Sequence, residues 1–149
     1  MDLQAYVMLA DHAEKAGGKL FINGGGWAVR RPEPIPWALA LEVKVPWHDN
    51  NRAFKFKLEM IDADGAPFEV STPDGDRPLS FEGEFRVTAG PQKKPGSTLN
   101  GLEAVALPPI PLPPGETFEW KLSIDGATRD EWRVSFDVSG QQTRQQEAA

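Results

Sequence analysis

Hydrophobic and polar residues alternate along this chain with a period of two. Leu39, Leu41, Val43 and Val45 share one parity, against Ala38, Ala40, Glu42 and Lys44. Phe54, Phe56, Leu58 and Met60 alternate with Lys55, Lys57 and Glu59. The same rhythm returns in Phe81, Phe85 and Val87, in Phe118, Trp120, Leu122 and Ile124, and in Trp132, Val134, Phe136 and Val138. A pleated strand sends successive side chains to opposite faces, so each run has one face for a core and one for water. Half-buried strands of this kind belong to antiparallel sheets. No stretch carries a convincing helical period.

Turn residues separate these runs. Asp62-Ala63-Asp64-Gly65 closes a hairpin after 54–61, and Asp125-Gly126 closes another after Ile124. An Asp-Gly pair tolerates the positive φ that a type I′ turn requires. Gly17-Gly18 divides an N-terminal strand, 3–11, from a second, 19–27. Pro32, Pro34 and Pro36 interrupt the chain before Trp37, and 90–97 reads as a loop. Pro108, Pro109, Pro111, Pro113 and Pro114 donate no backbone hydrogen bonds, which excludes a central strand and predicts an extended crossing segment or a sheet edge. The reading is all-β, a single antiparallel β-sandwich of about nine strands over residues 1–138. A polar, Gln-rich tail, 139–149, is expected to be flexible.

The chain has 149 residues, enough for one domain that buries about 70% of its unfolded surface. It has no cysteine, which removes disulfides, thiolate metal sites and cysteine nucleophiles together. Sixteen Lys and Arg against 22 Asp and Glu give a net charge of −6. That balance argues against nucleic acid, whose binders displace counterions with a basic stripe. The first ten residues contain Asp2 and no Lys or Arg, and their apolar run is too short for a membrane span. The expectation is a soluble cytoplasmic protein that does not engage a membrane.

Little in the chain resembles a reaction centre. Gly24-Gly25-Gly26 is followed by Trp27 and not by Lys-Ser or Lys-Thr, and no helical pattern opens after it. Phosphate-loop and dinucleotide motifs therefore both fail, and the glycines predict a bulge or a close backbone approach. His12 and His48 have no histidine at metal-binding spacing, and no G-x-S-x-G elbow occurs. The reading assigns no catalytic residue, no metal and no cofactor, and expects a protein that is not an enzyme.

Two binding readings follow. Trp37, Trp47, Trp120 and Trp132 carry core parity, which leaves Trp27 as the exposed tryptophan. The first strand is apolar on both faces, and the outward face of 37–45 opens with Ala38 and Ala40. Tyr6, Met8, Ala38 and Ala40 would then form an exposed apolar patch for a protein partner or for a second copy of the chain. An overlying loop is the competing fate of that patch. The alternative is a small molecule, glycan or calcium held by loop residues: Trp27, Asp62 and Asp64, with His48, Asp49 and Asn50 on another loop. Asp62-Ala63-Asp64-Gly65 has the beginning of a calcium loop but lacks its later acids.

Leu9-Ala10-Asp11-His12-Ala13, Gly18-Lys19-Leu20, the glycines before Trp27 and Pro34-Ile35-Pro36 together resemble an uncharacterised family of small bacterial proteins, common in actinobacteria. That family has an A-D-x-A motif, a G-K-L strand, a glycine-rich turn and a proline step. Leu112-Pro113-Pro114-Gly115 and Asp125-Gly126 extend the likeness into the second half. The resemblance implies an immunoglobulin-like sandwich and assigns no functional residue.

Overall fold

The structure is a computed structural model that describes residues 2–140. The alternating runs form strands where the pattern places them. The first hairpin joins β1 (Gln4–Ala16) to β2 (Lys19–Gly25), and a short β3 (Val29–Arg30) precedes β4 (Trp37–Val45). Next come β5 (Ala53–Asp62), the small hairpin of β6 (Glu69–Thr72) and β7 (Gly75–Pro78), and β8 (Ser80–Arg86). The chain continues through β9 (Leu99–Leu107), β10 (Thr117–Ile124) and β11 (Ala127–Val138). A single 3-10 turn, Trp47–Asp49, is the one helical element among the described residues.

The strands make three sheets. The first has the order β2-β1-β4-β9 and the second β3-β11-β10-β5-β8, while β6 and β7 pair alone. Every pairing is antiparallel except β3 with β11. The fold is thus all-β, with eleven strands among the described residues where about nine are expected. The strands that no alternating run marks in the sequence are β3, β6, β7 and β9, and in β9 the alternation is interrupted by Gly101 and Glu103.

The predicted core parity holds. Leu39, Leu41, Val43 and Val45 on the first sheet are buried with Phe54, Leu58, Phe118, Trp120 and Phe136 on the second. The ring of Trp37 lies 6.0 Å from Trp120 and 5.6 Å from Phe136, edge-on to both, so the two larger sheets share one core. Trp132 is buried too, and Trp47 packs half-buried against the same core from the 3-10 turn. Asp125 and Gly126 have φ of 50° and 81° and join Ile124 directly to Ala127, as the turn chemistry requires.

Three details depart from the sequence reading. The 62–65 turn folds the chain back, with the Phe68 amide donating to the Met60 carbonyl at 2.9 Å. The strand that pairs with β5 is nevertheless β8, reached after the β6–β7 excursion. β1 runs on past the predicted end to Ala16, and its pairing with β4 stops at Ala10. Beyond that point the β1–β2 hairpin turns across the outer face of the first sheet. Ala13 and Leu20 rest on Ala38, Ala40 and Ala104, and Lys15 Nζ reaches Glu103 of β9 at 3.8 Å. Ala38 and Ala40 are therefore buried rather than exposed. Their methyl groups are small enough to let a second layer of backbone approach closely.

The proline-rich stretches form a seam. The Leu112 amide donates to the Pro32 carbonyl at 2.9 Å, and Trp37 Nε1 donates to the Pro108 carbonyl at 2.6 Å. Residues 139–140 follow β11 outside any strand, with the Ser139 amide donating to the Arg30 carbonyl at 2.9 Å. The rest of the expected flexible tail, 141–149, lies outside the described residues.

Candidate functional site

The expected patch survives in part and moves. Tyr6 and Met8 lie on β1 opposite Glu42 and Ala40 of β4 and are 55% and 42% exposed. In place of the buried Ala38 and Ala40, Met8 has Ile22 of β2, 38% exposed, as its neighbour, while Phe21, 50% exposed, stands on the opposite face of β2. Met8 and Ile22 converge on Gly25. A Cβ at that position would lie 2.9 Å from Met8 Sδ and 2.7 Å from Ile22 Cγ2. Gly25, the middle of the three glycines, thus leaves open the space in which the two side chains meet. Phe21 and Ile22 escape the sequence reading because they sit on opposite parities of a short run, Lys19-Leu20-Phe21-Ile22. The signal that marks them is that an edge strand should not be apolar on both faces.

The charges around this patch are unevenly balanced. Glu42 is paired with Lys44 at 3.6 Å and Lys15 with Glu103. Asp11 and Glu14 make no ion pair among the described residues, and Glu14 stands directly across β1–β2 from Phe21. Directly opposed residues share a face, so Glu14 and Phe21 are exposed side by side.

The second set of expected site residues is not brought together. His48 is exposed on the 3-10 turn, 3.6 Å from Asp49. Asp49 also holds Arg52 at 3.3 Å, and Arg52 in turn holds Asp125 at 3.2 Å and covers the Phe54 ring at 4.7 Å. The Asn50 side-chain oxygen accepts the Ala89 amide at 2.9 Å. Asp62 lies at the far end of β5, about 30 Å away along a strand of this length. Its Oδ1 accepts the amides of Asp64 and Ala66, both at 2.9 Å, while Asp64 is exposed. Trp27 is half-buried, edge-on to Phe136 at 6.1 Å, and is not the exposed aromatic expected of it. Asp62 thus spends its Oδ1 on its own turn, and Asn50 spends its side-chain oxygen on the loop after β8.

The outer face of the second sheet carries a shallow hollow of about 670 Å³, lined by Lys55, Lys57, Glu59, Glu82 and Glu84 above Phe56. Lys57 contacts Glu59 at 2.9 Å and Glu82 at 3.9 Å, and Lys121 contacts Glu59 at 3.6 Å. The Lys57 hydrogen bond holds the Glu59 carboxyl below the usual carboxylate range, against its partial burial. The same bond raises Lys57. Lys57, Lys121, Glu59 and Glu82 thus form a ladder of paired charges on this face. Among the described residues no three His, Asp or Glu side chains gather as a metal site, and no helix is long and apolar enough to cross a membrane.

The chain matches no curated protein and no solved structure. A family model matches residues 5–139, from the start of β1 to the end of β11. On that match across the whole described fold, the chain belongs to a family of unknown function, DUF6941.

Proposed function

We propose that this chain is a non-catalytic interaction module, an immunoglobulin-like β-sandwich that holds a protein partner on the outer side of its β1–β2 hairpin. One observation carries the reading. Five large apolar side chains are exposed among the described residues, and four of them, Tyr6, Met8, Phe21 and Ile22, lie on these two adjacent strands. Large apolar side chains left exposed together on one hairpin mark interaction sites, and aromatic residues are enriched among the side chains that carry binding energy. Covering each large side chain contributes roughly 1.5–3 kcal/mol before association costs.

Native mass spectrometry of the protein, gently purified from its own host, tests this. A stoichiometric partner is expected with the natural chain. It should be lost from Met8→Asp, whose thermal unfolding should match the natural chain because Met8 is already exposed. A bare monomer from the natural chain, or a partner unaffected by Met8→Asp, would overturn the reading.

A further inference from the structure

We infer that the partner enters as an extended strand along the free edge of β2, and that its sequence alternates apolar and basic residues. This rests on the reading of the β1–β2 hairpin as the docking side. Among the described residues β2 pairs with β1 and with nothing else. The two-residue turn joins Ala16 directly to Lys19, which makes that pair a mutually hydrogen-bonded one. Alternation along the ladder then turns the amides of Lys19, Phe21 and Asn23 toward β1. It leaves the N–H and C=O groups of Leu20, Ile22 and Gly24 facing outward, without a strand to receive them.

Natural proteins blunt such edges with charge, proline or brevity. β2 has none of these after Lys19. The other edges do: β3 is two residues long with Pro32 close behind, and β8 follows Pro78 and carries Glu82 and Glu84. At β9, Phe85 and Val87 crowd Gly101, and Lys15 occupies Glu103.

Side chains set the chemistry of the incoming strand. A residue placed beside Phe21 lies on the face that also presents Glu14. A Lys or Arg there lays its stem on the ring and reaches the carboxylate with its head. The next residue falls on the opposite face, beside Ile22 and Met8, where an apolar side chain fits. A second copy of this chain is the poorer occupant. It brings a further net charge of −6, with Asp11 and Glu14 against their own kind and Lys19 as the one cation on its β2.

The test is titration of the full chain with a short synthetic peptide alternating Lys and Val, and with a matched peptide alternating Glu and Val. Amide exchange is followed by NMR. The Lys peptide should bind and protect the amides of Leu20, Ile22 and Gly24. Glu14→Gln should weaken it about three- to tenfold. Ile22→Pro, which deletes an outward N–H, should abolish binding, while Ile22→Val should largely retain it. Equal binding of the Glu peptide, protection located elsewhere, or a concentration-dependent dimer abolished by Ile22→Pro would overturn the inference. If the host partner is lost from Met8→Asp but kept by Ile22→Pro, strand addition fails while the docking side stands.

Discussion

The guanidinium of Arg30 lies 4.4 Å above the ring of Trp37, and the two side chains close the same seam. Arg30 donates to the carbonyls of Arg31 at 3.0 Å, Ile35 at 3.4 Å and Ile110 at 2.9 Å. Prolines at 32, 34, 36, 108, 109 and 111 offer carbonyls but no N–H groups, so beyond the Leu112–Pro32 bond the two stretches have few donors for each other's carbonyls. An arginine brings five donors and no acceptor, which is what this seam lacks. It is the one polar or charged residue fully buried among the described residues.

Arg30→Met should therefore destabilise the fold by about 2–4 kcal/mol, because buried carbonyls lose their donors. Arg30→Lys should recover less than half of that loss, since an ammonium cannot span the same carbonyls as a planar fork. Urea unfolding followed by tryptophan fluorescence measures both, and a loss below about 0.5 kcal/mol would contradict the assignment. Burial lowers the Arg30 pKa to about 10, opposed by Glu33. A base lowered on folding costs stability while it is charged. That cost is relieved only as pH rises through about 10, so Arg30 adds no pH dependence near neutrality.

The Lys57–Glu59 contact gives the second sheet a pH signature. Glu59 titrates below its ordinary value in the folded chain, so its contribution is present above the ordinary carboxylate range and lost as pH falls through the lowered folded value. Lys57 is raised, so its contribution is present below the ordinary lysine range and lost as pH rises through the raised value. Glu59→Gln should flatten the acid limb of the urea midpoint plotted against pH. An unchanged acid limb would mean that other carboxylates carry it.

Gly24 and Gly25 should respond differently to alanine. Gly24 has φ +60°, and a Cβ there would stand 2.2 Å from Asp11 Oδ2. Gly24→Ala should cost about 1–2 kcal/mol through backbone strain and the displaced carboxylate. A Cβ on Gly25 meets side chains and no backbone among its nearest atoms: Ile22 Cγ2 at 2.7 Å, Met8 Sδ at 2.9 Å and Ala10 Cβ at 3.8 Å, of which the exposed Met8 and Ile22 can turn toward solvent. Its replacement should cost less than about 1 kcal/mol and should open the patch. Thermal unfolding of the two variants side by side distinguishes them, and equal losses would contradict this division.

The Asp62 turn should behave as a structural turn. Asp62→Ala removes the acceptor of two amides and should cost about 1–2 kcal/mol. Asp62→Asn keeps an acceptor oxygen and should stay near the natural chain. Millimolar calcium should leave the melting temperature unchanged. A calcium-dependent rise that Asp62→Asn abolishes would instead favour ligand binding at this loop.

Alternation made β4, β5, β10 and β11 legible in the sequence, because each has a continuous row of large apolar residues on one parity. β9 was not legible. Its inward row contains Gly101, where Phe85 and Val87 take the space of a side chain, and Glu103, which is answered by Lys15 from another strand. Both residues make sense only beside partners far away in the chain. The burial of Arg30 is not legible in the sequence for the same reason: its acceptors include a carbonyl 80 residues away.

By itself the sequence determined the all-β class, the core parity and the Asp125-Gly126 turn, since periodicity and turn chemistry act between near neighbours. It also pointed to Tyr6 and Met8 as outward-facing. Only the tertiary structure decided that the β1–β2 hairpin folds over Ala38 and Ala40, and that Ile22 beside Met8 and Phe21 beside Glu14 are left exposed on the two faces of β2. A strand pattern states which residues share a face. Which faces meet depends on where the strand bends, and that is settled by packing between segments that no local period connects.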